Sequence, residues 1–197
     1  MTVVEQIVVK KLGRAEYLPT WQAMREFTRR RQEATPDELW LVEHPAVYTV
    51  GQGAPIPPLS SAIPVLKTDR GGDITYHGPG QIVIYTLIDL ARRAIKVQRF
   101  VWLLEQAVIE LVGSPAERKP GAPGVYVNGA KVAALGIRVV RGRAYHGLAL
   151  NVDMDLSPFN AIDPCGYPGL RVTQTKDLGI AVTADQLARS VMKNLDA

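Results

Sequence analysis

Apolar positions in this chain follow two periods. Between Val97 and Val112 they recur at Val97, Val101, Leu104, Val108 and Leu111, which lines one side of a helix, and Gly113 ends it. Glu16–Glu33 carries Trp21, Met24, Phe27 and Arg31 at three- and four-residue spacing and predicts a second helix. A third opens at Thr183, where Gln186 completes a capping box. Short β-branched and aromatic runs predict strands at Glu5–Lys10, Leu39–Glu43, Ala46–Val50, Ile63–Lys67 and Gln81–Leu87, with Pro45 separating the second from the third. Gly124–Val127 and Lys131–Val140 flank Asn128-Gly129, the signal of a tight hairpin. A second reversal at Arg141-Gly142-Arg143 leads into a strand over Tyr145–Val152. Residues 51–62 and 153–176 read as loops, and the region near Gly113–Pro120 looks short. Strands and helices interleave without regular βαβ alternation. The expected fold is therefore α+β, a mixed or antiparallel sheet with flanking helices, in a single domain over residues 1–197.

Composition narrows the class. With 47% apolar and 21% charged residues in 197, the chain can bury a core and does not read as disordered. Its only cysteine is Cys165, so no internal disulfide can form. Glu5 interrupts the run a signal peptide would need, and no apolar stretch approaches the roughly 20 residues that cross a bilayer. The expectation is a soluble cytoplasmic protein with no membrane partner. The net charge is +4, with arginines grouped at 29–31, at 92–93 and at 138, 141 and 143. These groups lack interleaved aromatics and no nucleic-acid module accompanies them, so no nucleic-acid partner is expected. Ordinary solvated faces are the first reading, and an acidic protein partner explains them at least as well as nucleic acid does.

Chemistry concentrates in four segments. Arg70-Gly71-Gly72-Asp73-Ile74-Thr75-Tyr76-His77-Gly78-Pro79-Gly80 is glycine-rich and precedes a buried strand. It matches neither the phosphate-loop nor the dinucleotide pattern, and it reads as a turn-rich binding wall. Pro164-Cys165-Gly166 places a thiol in an irregular loop. A lone cysteine is commonly just a small buried hydrophobe, and at neutral pH a thiol needs a neighbouring base or cation to become a nucleophile. Lys131, His77 and His146 are available for that. Lys131 begins an apolar run through Ala134, Leu135 and Gly136. Such a lysine commonly points to solvent, but one aimed into an apolar pocket would have a lowered pKa and could exchange a proton with the thiol. His146-Gly147-Leu148-Ala149 is the fourth segment. Three histidines and one cysteine show no metal-ligand spacing, so no metal is expected.

Together with Trp40-Leu41-Val42-Glu43-His44-Pro45, Ala122-Pro123-Gly124-Val125-Tyr126-Val127, His146 through Val152 and Leu156-Ser157-Pro158-Phe159, these segments resemble the octanoyltransferases of lipoate biosynthesis, also called lipoate-protein ligase B. The resemblance runs from about Glu5 to about Leu178. It implies a biotin/lipoate-protein ligase fold, of the class II aminoacyl-tRNA synthetase/biotin synthetase type. It implies transfer of an octanoyl group from octanoyl-acyl carrier protein to a lysine of lipoyl domains, those of 2-oxoacid dehydrogenases and of the glycine cleavage H protein, with neither ATP nor metal as cofactor. By this resemblance Cys165 is the acyl-thioester nucleophile and Lys131 the residue that lowers its pKa. Substrate binding falls on Arg70 to His77, on Ala134, Leu135 and Gly136, and on Gly147, Leu148 and Ala149, with His146 in support. Ala144 departs from the family pattern, which often has Ser or Thr there. An ATP-dependent lipoate ligase and a basic nucleic-acid-binding module are the alternatives, and neither accounts for Pro164-Cys165-Gly166.

Overall fold

The computed structural model describes residues 7–59, 61–163 and 169–197. A seven-stranded mixed sheet has the order β1 (Val8–Arg14), β2 (Glu38–Glu43), β6 (Gln81–Asp89), β10 (Arg143–Asn151), β9 (Ala130–Val140), β8 (Ala122–Val127) and β7 (Ala116–Lys119). Only β1 and β2 pair in parallel; the other neighbours are antiparallel. A smaller sheet sets β3 (Val47–Val50) between β4 (Val65–Lys67) and β5 (Ile74–His77).

Strand alternation explains why both faces of the large sheet are covered. In β2 and β6, Leu39, Leu41, Ile84 and Ile88 point to one face, while Trp40, Val42, Val83, Tyr85 and Leu87 point to the other. The first set packs against α2 (Val97–Val112) and α3 (Ala184–Leu195) through Phe100, Leu104, Val108, Leu187 and Val191. The second packs against Tyr17 and Met24 of α1 (Tyr17–Arg30). A run apolar on both sides is what burial on two faces requires. A third cluster, of Tyr48, Val50, Ile74, Tyr76, Met154 and Phe159, fills the small sheet.

The helices and hairpins follow the sequence signals. Helix α2 spans the expected residues and stops at Gly113, whose φ of 75° suits glycine. Both bonds of the Thr183–Gln186 capping box are present. Asn128 and Gly129, and likewise Arg141 and Gly142, have positive φ, as tight hairpins require. Four expectations are corrected. Strand β1 continues to Arg14, and Glu5 and Gln6 lie outside the described residues. Ile74–His77 of the supposed loop is a strand, and Ala116–Lys119 forms an edge strand. Helix α1 ends at Arg30 rather than Glu33, because Arg31 turns inward.

That turn has an electrostatic cause. Asp37 is buried and accepts hydrogen bonds from Arg31 (2.6 Å), Arg92 (2.8 Å), Arg93 (2.6 Å) and the Asp89 amide (2.8 Å). Burial alone would raise its pKa, but the bonds from Arg93 and Arg31 outweigh it and hold the carboxyl below its usual range. Two of the three arginine groups thus send residues to one internal carboxylate. Replacing Asp37 with Ala strands buried cations, and equilibrium urea unfolding should show a loss of about 3–5 kcal/mol.

Candidate active site

A mostly apolar cleft of about 470 Å³, counting its open mouth, lies where the two sheets meet. It is lined by Arg70, Gly72, Asp73, Ile74, Thr75 and His77, by Ala134, Leu135 and Gly136 of β9, and by His146, Gly147, Leu148 and Ala149 of β10. Tyr17, Val83 and Tyr85 complete the wall. Lys131 does not line this cleft, and two expected binding residues are placed elsewhere. Tyr76 packs its ring against Tyr48 and Phe159 in the small-sheet core. Gly71 ties the loop to β9 through its amide and the Ile137 carbonyl (3.0 Å), and borders a neighbouring groove. Ala144 is buried in the core beneath α2. Cys165 lies outside the described residues.

Arg70 is buried and donates to the Thr49 carbonyl (2.6 Å), the Thr49 hydroxyl (3.0 Å) and the Gly71 carbonyl (2.9 Å). The Thr49 hydroxyl lies 3.4 Å from His77 Nε2. His77 Nδ1 lies 2.8 Å from the Gln81 side-chain oxygen, which assigns the proton to Nδ1. The Gln81 amide donates to the Tyr76 carbonyl (3.2 Å) and to Asn151 Oδ1 (3.0 Å), and Asn151 donates to the Thr173 carbonyl (3.0 Å). The Thr173 amide in turn donates to the Lys131 carbonyl (2.9 Å). One buried chain of polar groups therefore runs from Arg70 to the strand that carries Lys131.

Lys131 is 3% exposed, so it does not take the solvated orientation. Its ammonium sits 5.1 Å from the Tyr126 ring centre and donates to the Pro123 carbonyl (3.3 Å). Gly124 makes this seat possible. Its φ is 140°, and an added Cβ would fall 2.8 Å from the Ala133 carbonyl oxygen and 3.0 Å from Lys131 Cε.

His146 carries the cleft's clearest strain, with φ at 62° inside a strand. Neighbouring strand residues normally point to opposite faces. Here Tyr145 and His146 both reach Asp69, at 2.6 and 2.7 Å, and Trp21 adds a third bond at 2.7 Å. The left-handed turn brings the imidazole to the tyrosine's side. Burial raises the Asp69 carboxyl, but hydrogen bonds from His146, Tyr145 and Trp21 outweigh it and hold it well below the usual range. Burial keeps His146 neutral, opposed by Asp69, and its Nδ1 is buried with no partner among the described residues. Beyond His146, Gly147 must lack a side chain, because a Cβ would fall 2.1 Å from the Ile84 carbonyl oxygen.

Sequence reasoning missed Tyr17, Val83, Tyr85 and Asp69. The first three looked like ordinary core positions. Asp69 immediately precedes the glycine-rich segment, and that adjacency was the available signal.

Residues 16–196 match the family model of the lipoyl protein ligase A/B catalytic domain. A protein named octanoyltransferase from Dechloromonas aromatica is 58% identical, over 96% of this chain and 97% of its own. Among solved structures, P. falciparum LipL1 in complex with lipoate superposes with a TM-score of 0.72 at 11% identity, covering 96% of this chain and 61% of that one. A biotin protein ligase from Aquifex aeolicus, in complex with biotin and ATP, gives 0.57 at 11%, covering 98% and 69%. The two structures establish the mixed α/β fold, as expected.

All three histidines are held below the solvent value of about 6.5, first by burial, and for His77 down to about 3. The unfolded chain then binds more protons than the folded one below that value, so stability falls on acidification. Each histidine contributes up to about 1.4 kcal/mol per pH unit within its window. Asp37 and Asp69, whose pKa values are depressed, add a second loss below about pH 4. Urea midpoints should drop steadily from about pH 7 to about pH 5, and a flat profile would contradict neutral burial of the histidines.

Proposed function

We propose a chemical course for a chain that belongs to the lipoyl protein ligase A/B catalytic family and, within it, stands with the octanoyltransferases. The donor is an octanoyl thioester on acyl carrier protein. The Cys165 thiolate, formed as its proton passes to Lys131, attacks the donor's carbonyl carbon, the carbon–sulfur bond to the carrier breaks, and the carrier thiolate leaves with the proton that Lys131 gives back. The neutral lysine amine of a lipoyl domain then attacks octanoyl-Cys165. The amide forms, the cysteine thiolate is released, and the amine's proton passes to Lys131. Lipoyl domains of 2-oxoacid dehydrogenases and the glycine cleavage H protein are the acceptors in this reading. Thioester-to-thioester and thioester-to-amide transfers need no ATP, and no step calls for a metal.

The seat of Lys131 carries the proposal. Its side chain is buried among Tyr126, Pro123 and Gly124, and its backbone pairs with Arg171 and Thr173. Cys165 stands six positions before Arg171, so at about 3.5 Å per residue its tether to the Lys131 strand is no longer than roughly 21 Å. A cation fixed there would favour the thiolate. Ile74, Val83, Leu135, Leu148 and Ala149 offer the acyl chain an apolar wall. The arginine-to-asparagine network beneath it fixes that wall without entering the chemistry.

Incubation with octanoyl-carrier protein should give an intact-mass adduct that hydroxylamine removes and that Cys165→Ala lacks. No adduct on the wild type, or one that survives in Cys165→Ala, would sink the intermediate. Lys131→Met should lower transfer by about 10²-fold or more. It should also move the pH profile of Cys165 alkylation upward, and an unmoved profile would exclude Lys131 as the source of activation.

A further inference from the structure

Next to the cleft lies a second, strongly basic groove. Arg25 and Arg29 of α1 face Arg138, Arg141 and Arg143 of the β9–β10 hairpin across a space of about 1440 Å³, counting its open side. Glu26 and Asp69 are the only carboxylates in its lining, so positive charge is in clear excess. Sequence grouping hid this surface. Arg31, Arg92 and Arg93 turn inward to Asp37, whereas arginines from two distant segments converge here. Tyr145 and Asp69 line the groove, and both connect to His146, which lines the cleft. The two spaces share one wall.

We infer that this groove docks the acyl donor, an acidic carrier protein that presents its thioester on a long flexible arm. The inference rests on the carrier-thioester reading above and adds where the carrier sits. Charge complementarity calls for an acidic partner. Distance selects the donor over the acceptor. Arg138 stands seven residues along β9 from Lys131, about 23 Å at strand spacing, and Arg141 lies beyond it at the hairpin tip. An acceptor reaches the thioester with one lysine side chain, so its body must press against the end of the cleft nearest Lys131. A carrier with a long arm can stand at the far end and pass the acyl group along Gly136 and Leu135, the cleft-lining residues between.

The test reverses charge at Arg138→Glu with Arg141→Asp, two positions outside the cleft lining. Arg141 has a φ of 50°, a conformation aspartate adopts more readily than most residues. Steady-state kinetics would use two donors, octanoyl-carrier protein and the octanoyl thioester of N-acetylcysteamine, with one lipoyl-domain acceptor. The expected result is a KM for the carrier raised about tenfold or more. The KM for the acceptor and the turnover of the small thioester should be unchanged, and added salt should raise the wild-type KM for the carrier. An unchanged carrier KM, or a rise in the acceptor's KM instead, overturns the inference. If the reversed variant also loses the small thioester, the neutral pair Arg138→Gln with Arg141→Asn must still raise the carrier KM selectively. A wild type that uses the small thioester but never the carrier would instead sink the donor reading itself.

Discussion

Gln81 is the joint on which the site depends. A primary amide has two donors and an acceptor, and this buried one finds protein partners for both kinds. Its oxygen accepts a hydrogen bond from His77 Nδ1–H, and its nitrogen donates to the Tyr76 carbonyl and to Asn151 Oδ1. The small sheet, the start of β6, the end of β10 and the chain after residue 169 are therefore tied at one side chain. Each buried group stranded by its loss would cost about 1–3 kcal/mol. An apolar substitute would fill the space without replacing those bonds. Because the cleft is the seam between those sheets, this amide helps set its width, together with the backbone bond from Gly71 to Ile137.

The Asp69 cluster plays the matching part at the opposite wall. Holding an imidazole and a phenol from consecutive strand residues on one carboxylate forces a left-handed backbone, a conformation that costs of order 1–3 kcal/mol for a non-glycine residue. Three hydrogen bonds to one carboxylate are enough to sustain it. The return is a neutral imidazole edge in the cleft wall with a buried nitrogen that has no partner among the described residues.

How much of this was legible follows from range. The hairpins, α2 and the capping box are specified by neighbours in sequence, and each was read close to its observed bounds. The early stop of α1 was not, because Asp37, Asp89, Arg92 and Arg93 decide it from up to 62 positions away from Arg31. Residues Ile74–His77 were hidden as a strand by the glycines around them, since pairing with β3 outweighs local propensity. Most of the expected binding residues line one cleft because they occupy facing stretches of β9 and β10 in register, Ala134 with Ala149 and Gly136 with Gly147. Gly71 and Tyr76 do not, and a run quoted as one motif could not say which alternate residues face inward. Asp69 and Thr49 carry supporting hydrogen bonds and gave no motif at all, and Asn151 lay in a quoted segment without being singled out.

Arginine shows most clearly why residue type alone could not assign roles. A buried carboxylate is costly unless cations surround it, so Asp37 draws three guanidinium groups inward and makes them part of the core. The hairpin arginines are held less tightly: Arg138 bonds the neutral Gln52, and Arg143 makes a single ion pair with Asp89 at 3.6 Å, at the ends of β10 and β6. Their charge stays at the surface, where it can act on a partner over roughly a Debye length. Net charge said only that cations exceed anions. It is the position of two aspartates, 37 and 69, that divides the excess between a structural knot and a groove beside the cleft.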